Sequence, residues 1–94
     1  GEETEMKQQI TEIFDDAEAD SIGVRRFAKA MAVKLTDKRA EGRGGWHRPP
    51  SNGYGTGIAR LRRMMLAHIE KGDPVDIANF CMMIWNREHP KGKP

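Results

Sequence analysis

The chain has 94 residues, one cysteine and a formal net charge of +2. That length suits a single domain that buries roughly 60 to 65 per cent of its unfolded surface and folds without staples. Cys81 alone excludes an internal disulfide and, without ligands from elsewhere, a zinc site, which fits a reducing compartment. No run of about 18 apolar residues is present to cross a membrane, and an acidic N-terminus is unlike a signal peptide, so a cytoplasmic protein with no membrane partner is expected.

The small net charge hides an asymmetry. Residues 1–20 carry eight acids against one base, and residues 21–48 carry eight bases against two acids. Such blocks complement one another within or between protomers, receive a polyanion, or form ordinary solvated helix faces. Ile10, Ile13, Phe14 and Ala17 recur with helical spacing and predict an amphipathic helix over about 4–18 with an acidic outer face. Asp20 or Ser21 then starts a second helix over about 22–40, with Val24, Phe27, Ala28, Met31 and Leu35 as its stripe. Lys38 and Arg39 at its far end suit the helix dipole.

From Gly42 to Gly57 the periodicity stops: six glycines with Pro49, Pro50, Ser51 and Asn52 make a loop of about 16 residues, longer than most connections. Trp46, His47 and Tyr54 lie inside it, where aromatic rings stack on a base or anchor the loop to the core. Ile58, Leu61, Met65 and Ile69 predict a third helix that stops at Gly72. The fourth starts at once. Asp73 suits the cap, Pro74 the first position and Asp76 the third, as in a capping box.

Asp73 and Asp76 also share one helical face, so the same pair forms a metal half-site within reach of one divalent cation. Ile77, Phe80, Cys81 and Ile84 are the expected buried face, with Cys81 a small apolar filler. Met82, Met83 and Trp85 widen the apolar arc beyond what a small monomer needs, which suggests a homo-oligomer or a ligand wall. The tail from Glu88 to Pro94 should fray. With no strand alternation and no repeat, the fold expected for residues 1–94 is an all-α, four-helix bundle-like domain with a long glycine-rich loop between the second and third helices.

Three segments together resemble small phage and prophage proteins related to the all-α, MazG-type nucleoside triphosphate pyrophosphohydrolases. They are Met31–Leu35 with Lys38 and Arg39, Gly42–Trp46, and Asp76–Ile84. The likeness covers about residues 24–86. It implies a basic helix and a glycine-tryptophan loop ahead of a catalytic helix pair. It also implies magnesium held by Glu-Glu-x-x-Glu on one helix and Glu-x-x-Asp on the next, for cleavage between the α and β phosphates. Asp73-x-x-Asp76 matches the second motif with aspartate for glutamate. Aligning Leu61-Arg62-Arg63 with the start of the first motif's helix puts Arg63, Met64 and Ala67 where carboxylates would stand, leaving only Glu70 nearby.

Magnesium needs several hard oxygen ligands, whereas arginine grips phosphate directly through charge-assisted, often bidentate hydrogen bonds. The expected function is therefore a phage-type, non-hydrolytic nucleotide binder with no certain cofactor. It would sequester a host or signalling nucleotide in the cytoplasm of an infected or lysogenic bacterial cell, an anti-defence role. Arg62 and Arg63 would hold phosphate, Trp46 or Tyr54 would stack on the base, and Arg39 or Arg43 would close the site. The alternative is a reduced magnesium-dependent pyrophosphohydrolase using Glu70, Asp73, Asp76 and His68. A third class is an interaction module binding a host protein through Met82, Met83 and Trp85. Nucleic acid is a weaker expectation, because the acidic first helix opposes it and no recognised motif is present.

Overall fold

A computed structural model describes residues 15–51 and 55–93. Asp15 stands before the first described helix, and its Oδ1 accepts the Glu18 amide at 2.8 Å. Helix α1 then runs unbroken through Asp16–Ala40. Asp16 and Glu18 lie in its first turn and Lys38 and Arg39 in its last, so both ends complement the helix dipole. It stops in a Schellman turn. Gly42, at φ 84°, donates to the Arg39 carbonyl at 2.9 Å, and the Arg43 amide reaches the Lys38 carbonyl at 2.9 Å.

The predicted break near Asp20 does not occur. Asp15 already supplies a cap, no proline lies between Asp16 and Ala40, and the one mid-helix glycine, Gly23, costs only about 1 kcal/mol. Residues 4–14 of the predicted first helix lie outside the described residues. Among the described residues there are three helices instead of four, and no strand.

The chain divides into two compact units, residues 1–30 and 31–94. In the first, the described turns of α1 bury no side chain, with Val24 68% and Phe27 38% exposed. The predicted inner stripe is open at both positions.

In the second unit, α2 (Ile58–Lys71) and α3 (Pro74–Glu88) pack against each other. Gly72, at φ 75°, ends α2 by donating to the carbonyls of His68 and Ile69. Asp73 immediately caps α3, its Oδ1 accepting from the amides of Val75 at 2.9 Å and Asp76 at 3.4 Å. The stop at Gly72, the cap at Asp73 and Pro74 at the first position all match the sequence.

The two helices are antiparallel. Arg62 meets Glu88 at 2.8 Å, Cys81 meets Met65 through sulfur at 3.5 Å, and the His68 and Phe80 rings lie 4.8 Å apart. Leu61 and Ile84 are the buried apolar side chains among the described residues, Leu61 fully so. Cys81 is exposed, contrary to expectation. The inner face of α3 is centred on Asn79 and Ile84, which turns position 81 toward solvent.

A Cβ at Gly23 meets no atom within 4 Å. Gly23→Ala should therefore raise stability by about 0.5–1 kcal/mol through helix propensity and a less flexible unfolded chain. Circular dichroism under chemical denaturation measures this, and a destabilised variant would contradict a helical backbone at position 23.

Candidate ligand-binding cavity

A cavity of about 420 Å³ lies within the second unit, in the size range of small-molecule sites. The last turns of α1 contribute Lys34, Leu35 and Lys38 to its wall. The segment after α1 contributes Arg43, Trp46 and Thr56. Helix α2 adds Arg60, Leu61, Met64 and His68, and α3 adds Asp76, Asn79, Phe80 and Met83.

Helical spacing explains the choice of residues on α2. Leu61 is 1% exposed and marks the inward side; Met64 and His68 are half-buried beside it, and Arg60, one turn before Met64 and itself exposed, stands at the edge of the wall. Arg62 and Arg63 are both exposed and absent from the cavity wall. Arg62 is occupied instead with Glu88, where an exposed pair contributes little.

The other candidates are likewise separated. Arg39 is exposed and donates to the Thr36 hydroxyl at 3.0 Å. Glu70 is exposed and off the wall. Tyr54 lies outside the described residues. Arg43, Trp46, His68 and Asp76 are brought together on the wall.

Asp73 and Asp76 do converge, and what lies between them is an ammonium. Lys34 Nζ sits 3.4 Å from Asp73 Oδ2 and 3.6 Å from Asp76 Oδ1. Asp76 does not reach back to the Asp73 amide as a capping box would; it turns to Lys34. The attraction of Asp76, joined by the hydrogen bond to Asp73, raises the Lys34 pKa above its ordinary 10.5. The Val75 amide chiefly, with that of Asp76 and with Lys34, holds the Asp73 carboxyl below its ordinary 3.8. Among the described residues no three His, Cys, Asp or Glu side chains converge as a metal site would need. A cation could reach Asp73 and Asp76 only by displacing Lys34.

The remaining cations on the wall are less engaged. Arg43 pairs with Glu41 at 3.5 Å, both largely exposed. No described carboxylate lies within pairing distance of Lys38 or Arg60. His68 Nδ1 donates to the Met64 carbonyl at 2.8 Å, which leaves the lone pair of a neutral ring on Nε2.

The segment that presents Arg43 and Trp46 is tied down by Arg87. Its Nη1 donates to the carbonyl of Trp46 at 2.8 Å, to that of Thr56, and more weakly to that of Arg48 at 3.4 Å. The Thr56 amide closes on the Arg48 carbonyl at 2.9 Å. Gly55 sits at φ 84° against this turn, where a Cβ would run into the carbonyl oxygens of Arg48 and Pro49.

Sequence reasoning missed Lys34, Lys38, Arg60, Asn79 and Arg87. Two signals were present. Arg60, Met64 and His68 repeat every fourth position on one face, and Asn79 is a lone amide between Ile77 and the apolar run Phe80–Trp85.

No protein-family model, curated protein or solved structure matches the chain. The likeness to MazG-type proteins therefore rests on the three sequence segments alone. No helix among the described residues is long and apolar enough to cross a membrane.

The pKa directions fix a pH dependence. Because the folded-state pKa of Asp73 is depressed, its contribution to stability is present above 3.8 and fades as pH falls through the folded value. Lys34 acts in the opposite sense, contributing below 10.5 and losing that contribution as pH rises through its raised value. Asn caps a helix nearly as well as Asp but carries no charge. The melting-temperature advantage of wild type over Asp73→Asn should thus hold from neutral pH down to 3.8 and shrink below it. An advantage unchanged in stronger acid would contradict the charged cap.

Proposed function

We propose that this protein binds a nucleotide in the cavity and holds it without hydrolysing it. One observation carries the reading: Lys38, Arg43 and Arg60 share a wall with Trp46 and Phe80, while Asp76, the one carboxylate among the described residues of that wall, is paired with Lys34. Excess positive charge beside aromatic surface suits a ligand with an anionic end and a planar apolar end. Arginine forks clamp phosphate oxygens, and a base stacks on a ring. Trp46 takes the stacking role, and Arg60, Arg43 and Lys38 take the phosphate role first assigned to Arg62 and Arg63.

The lack of hydrolysis has its own support. A pyrophosphohydrolase of the resembled kind needs free carboxylates for magnesium, and here Asp73 and Asp76 are spent on a helix cap and on Lys34. The likeness to phage and prophage proteins supplies a setting for a binder that does not turn over. In it, the protein sequesters a host or signalling nucleotide in the bacterial cytoplasm as an anti-defence measure.

Calorimetric titration with linear and cyclic nucleotides tests this directly. Wild type should bind at least one of them. Arg60→Gln should weaken that binding about tenfold to a hundredfold, as expected for losing one charge-assisted phosphate contact. Arg62→Ala and Arg63→Ala should leave it unchanged. No binding by a folded protein would end the proposal, and release of pyrophosphate with magnesium, abolished in Asp76→Ala, would replace it with the enzyme.

Self-association belongs to the same proposal. Leu66, Ile69 and Trp85 are 59%, 49% and 42% exposed beside a core of few side chains. Light scattering should give a defined multiple of 10.6 kDa. A monomer at micromolar concentration would remove the oligomer from the account.

A further inference from the structure

We propose that two copies of this chain meet on the outer face of α2, laid antiparallel about a two-fold axis near Leu66 and Ala67. The inference rests on the self-association proposed above and names the face that carries it.

Leu61 is the fully buried side chain of α2, so helical geometry sets the face opposite to it. Ala59, Arg63, Leu66, Ala67 and Glu70 fall there, and all five are exposed. Ile69 and, across the hairpin, Trp85 widen the apolar part, and both are exposed as well. Trp85 lies between Cys81, which meets Met65, and Glu88, which meets Arg62, so it stands beside the first half of α2. Ile69 belongs to the second half. Apolar side chains grouped on an open face, with charges at its rim, are the pattern of an interface between proteins.

The charges select the partner. Arg63 and Glu70 are two turns apart on this face, with Leu66 and Ala67 between them. Neither has an opposite charge three or four residues away on its own helix, and neither joins an ion pair among the described residues. A strip that is basic at one end, acidic at the other and apolar in the middle complements a copy of itself turned end for end. Under a two-fold axis residue i meets j and j meets i. Arg63 then faces Glu70 of the second copy, Leu66 settles over the small Ala67, and Trp85 comes over Ile69, each contact made twice. A parallel arrangement would set Arg63 against Arg63 and Glu70 against Glu70. None of these side chains belongs to the cavity wall, so the pairing leaves the ligand site open.

Sedimentation equilibrium of the full chain over a range of concentrations reads the pairing. Wild type should associate reversibly to twice 10.6 kDa. Arg63→Glu and Glu70→Arg should each raise the dissociation constant about tenfold or more, because each turns two attractive pairs into repulsive ones. The two substitutions in one chain restore opposite charges and should recover most of the lost affinity. Loss in each single variant with recovery in the double does not arise from misfolding. Wild type that associates with no weakening by either reversal, or a double variant that stays as weak as the singles, overturns this face and leaves self-association standing. A wild-type monomer overturns both, and leaves nucleotide binding to its own titration.

Discussion

One ammonium organises the second unit. Lys34 reaches across 39 residues of sequence to the two aspartates that open α3, and in doing so makes the last turns of α1 a side of the cavity. Its energetic contribution is not the point, because the three side chains keep some exposure and such pairs are weak. Its effect is geometric and electrostatic. It holds the cap residue of α3, pairs with the one carboxylate among the described residues of the cavity wall, and stands between the two aspartates where a divalent cation would sit. The surplus of positive charge on the described wall then comes from Lys38, Arg43 and Arg60.

The same economy runs along the inner face of α3. Asp76, Asn79 and Arg87 share that side of the helix with Phe80, Met83 and Ile84, so half of what faces inward is polar. Each polar group is tied to a different part of the unit: Asp76 to Lys34, Asn79 to the Met31 carbonyl, Arg87 to the carbonyls of Trp46, Arg48 and Thr56. A wall held mainly by such ties and by few buried apolar side chains is shaped more by hydrogen-bond geometry than by hydrophobic area. A ligand bridging α2, α3 and the tied segment would add stability in proportion to its occupancy.

The parts of the fold that were legible are those with local causes. The end of α2 was read from Gly72 because a left-handed residue suits glycine, and the start of α3 from Asp73-Pro74 because cap and first-turn preferences are set by neighbours along the chain. Asp20-Ser21 carries an equally good start signal, yet α1 runs through it, because a cap signal competes with the continuous helix already begun at Asp15. The buried face of α3 was misjudged at Cys81 for a related reason. Apolar spacing marks the inner face only when that face is apolar, and here polar residues stand in it.

Sequence alone determined the helical class of the described residues, the α2–α3 hairpin with its stop and cap, and the basic, tryptophan-bearing segment that follows α1. These follow from backbone preferences acting over a turn or two. Tertiary structure decided which charges matter. Position 60 and not 62 or 63 borders the cavity because Leu61 is the side chain buried at that level, and Lys34 pairs with Asp76 because α1 passes the start of α3. Charge and composition are properties of the string, but pairing and burial depend on which distant residues are brought within a few ångströms, and no local pattern encodes that.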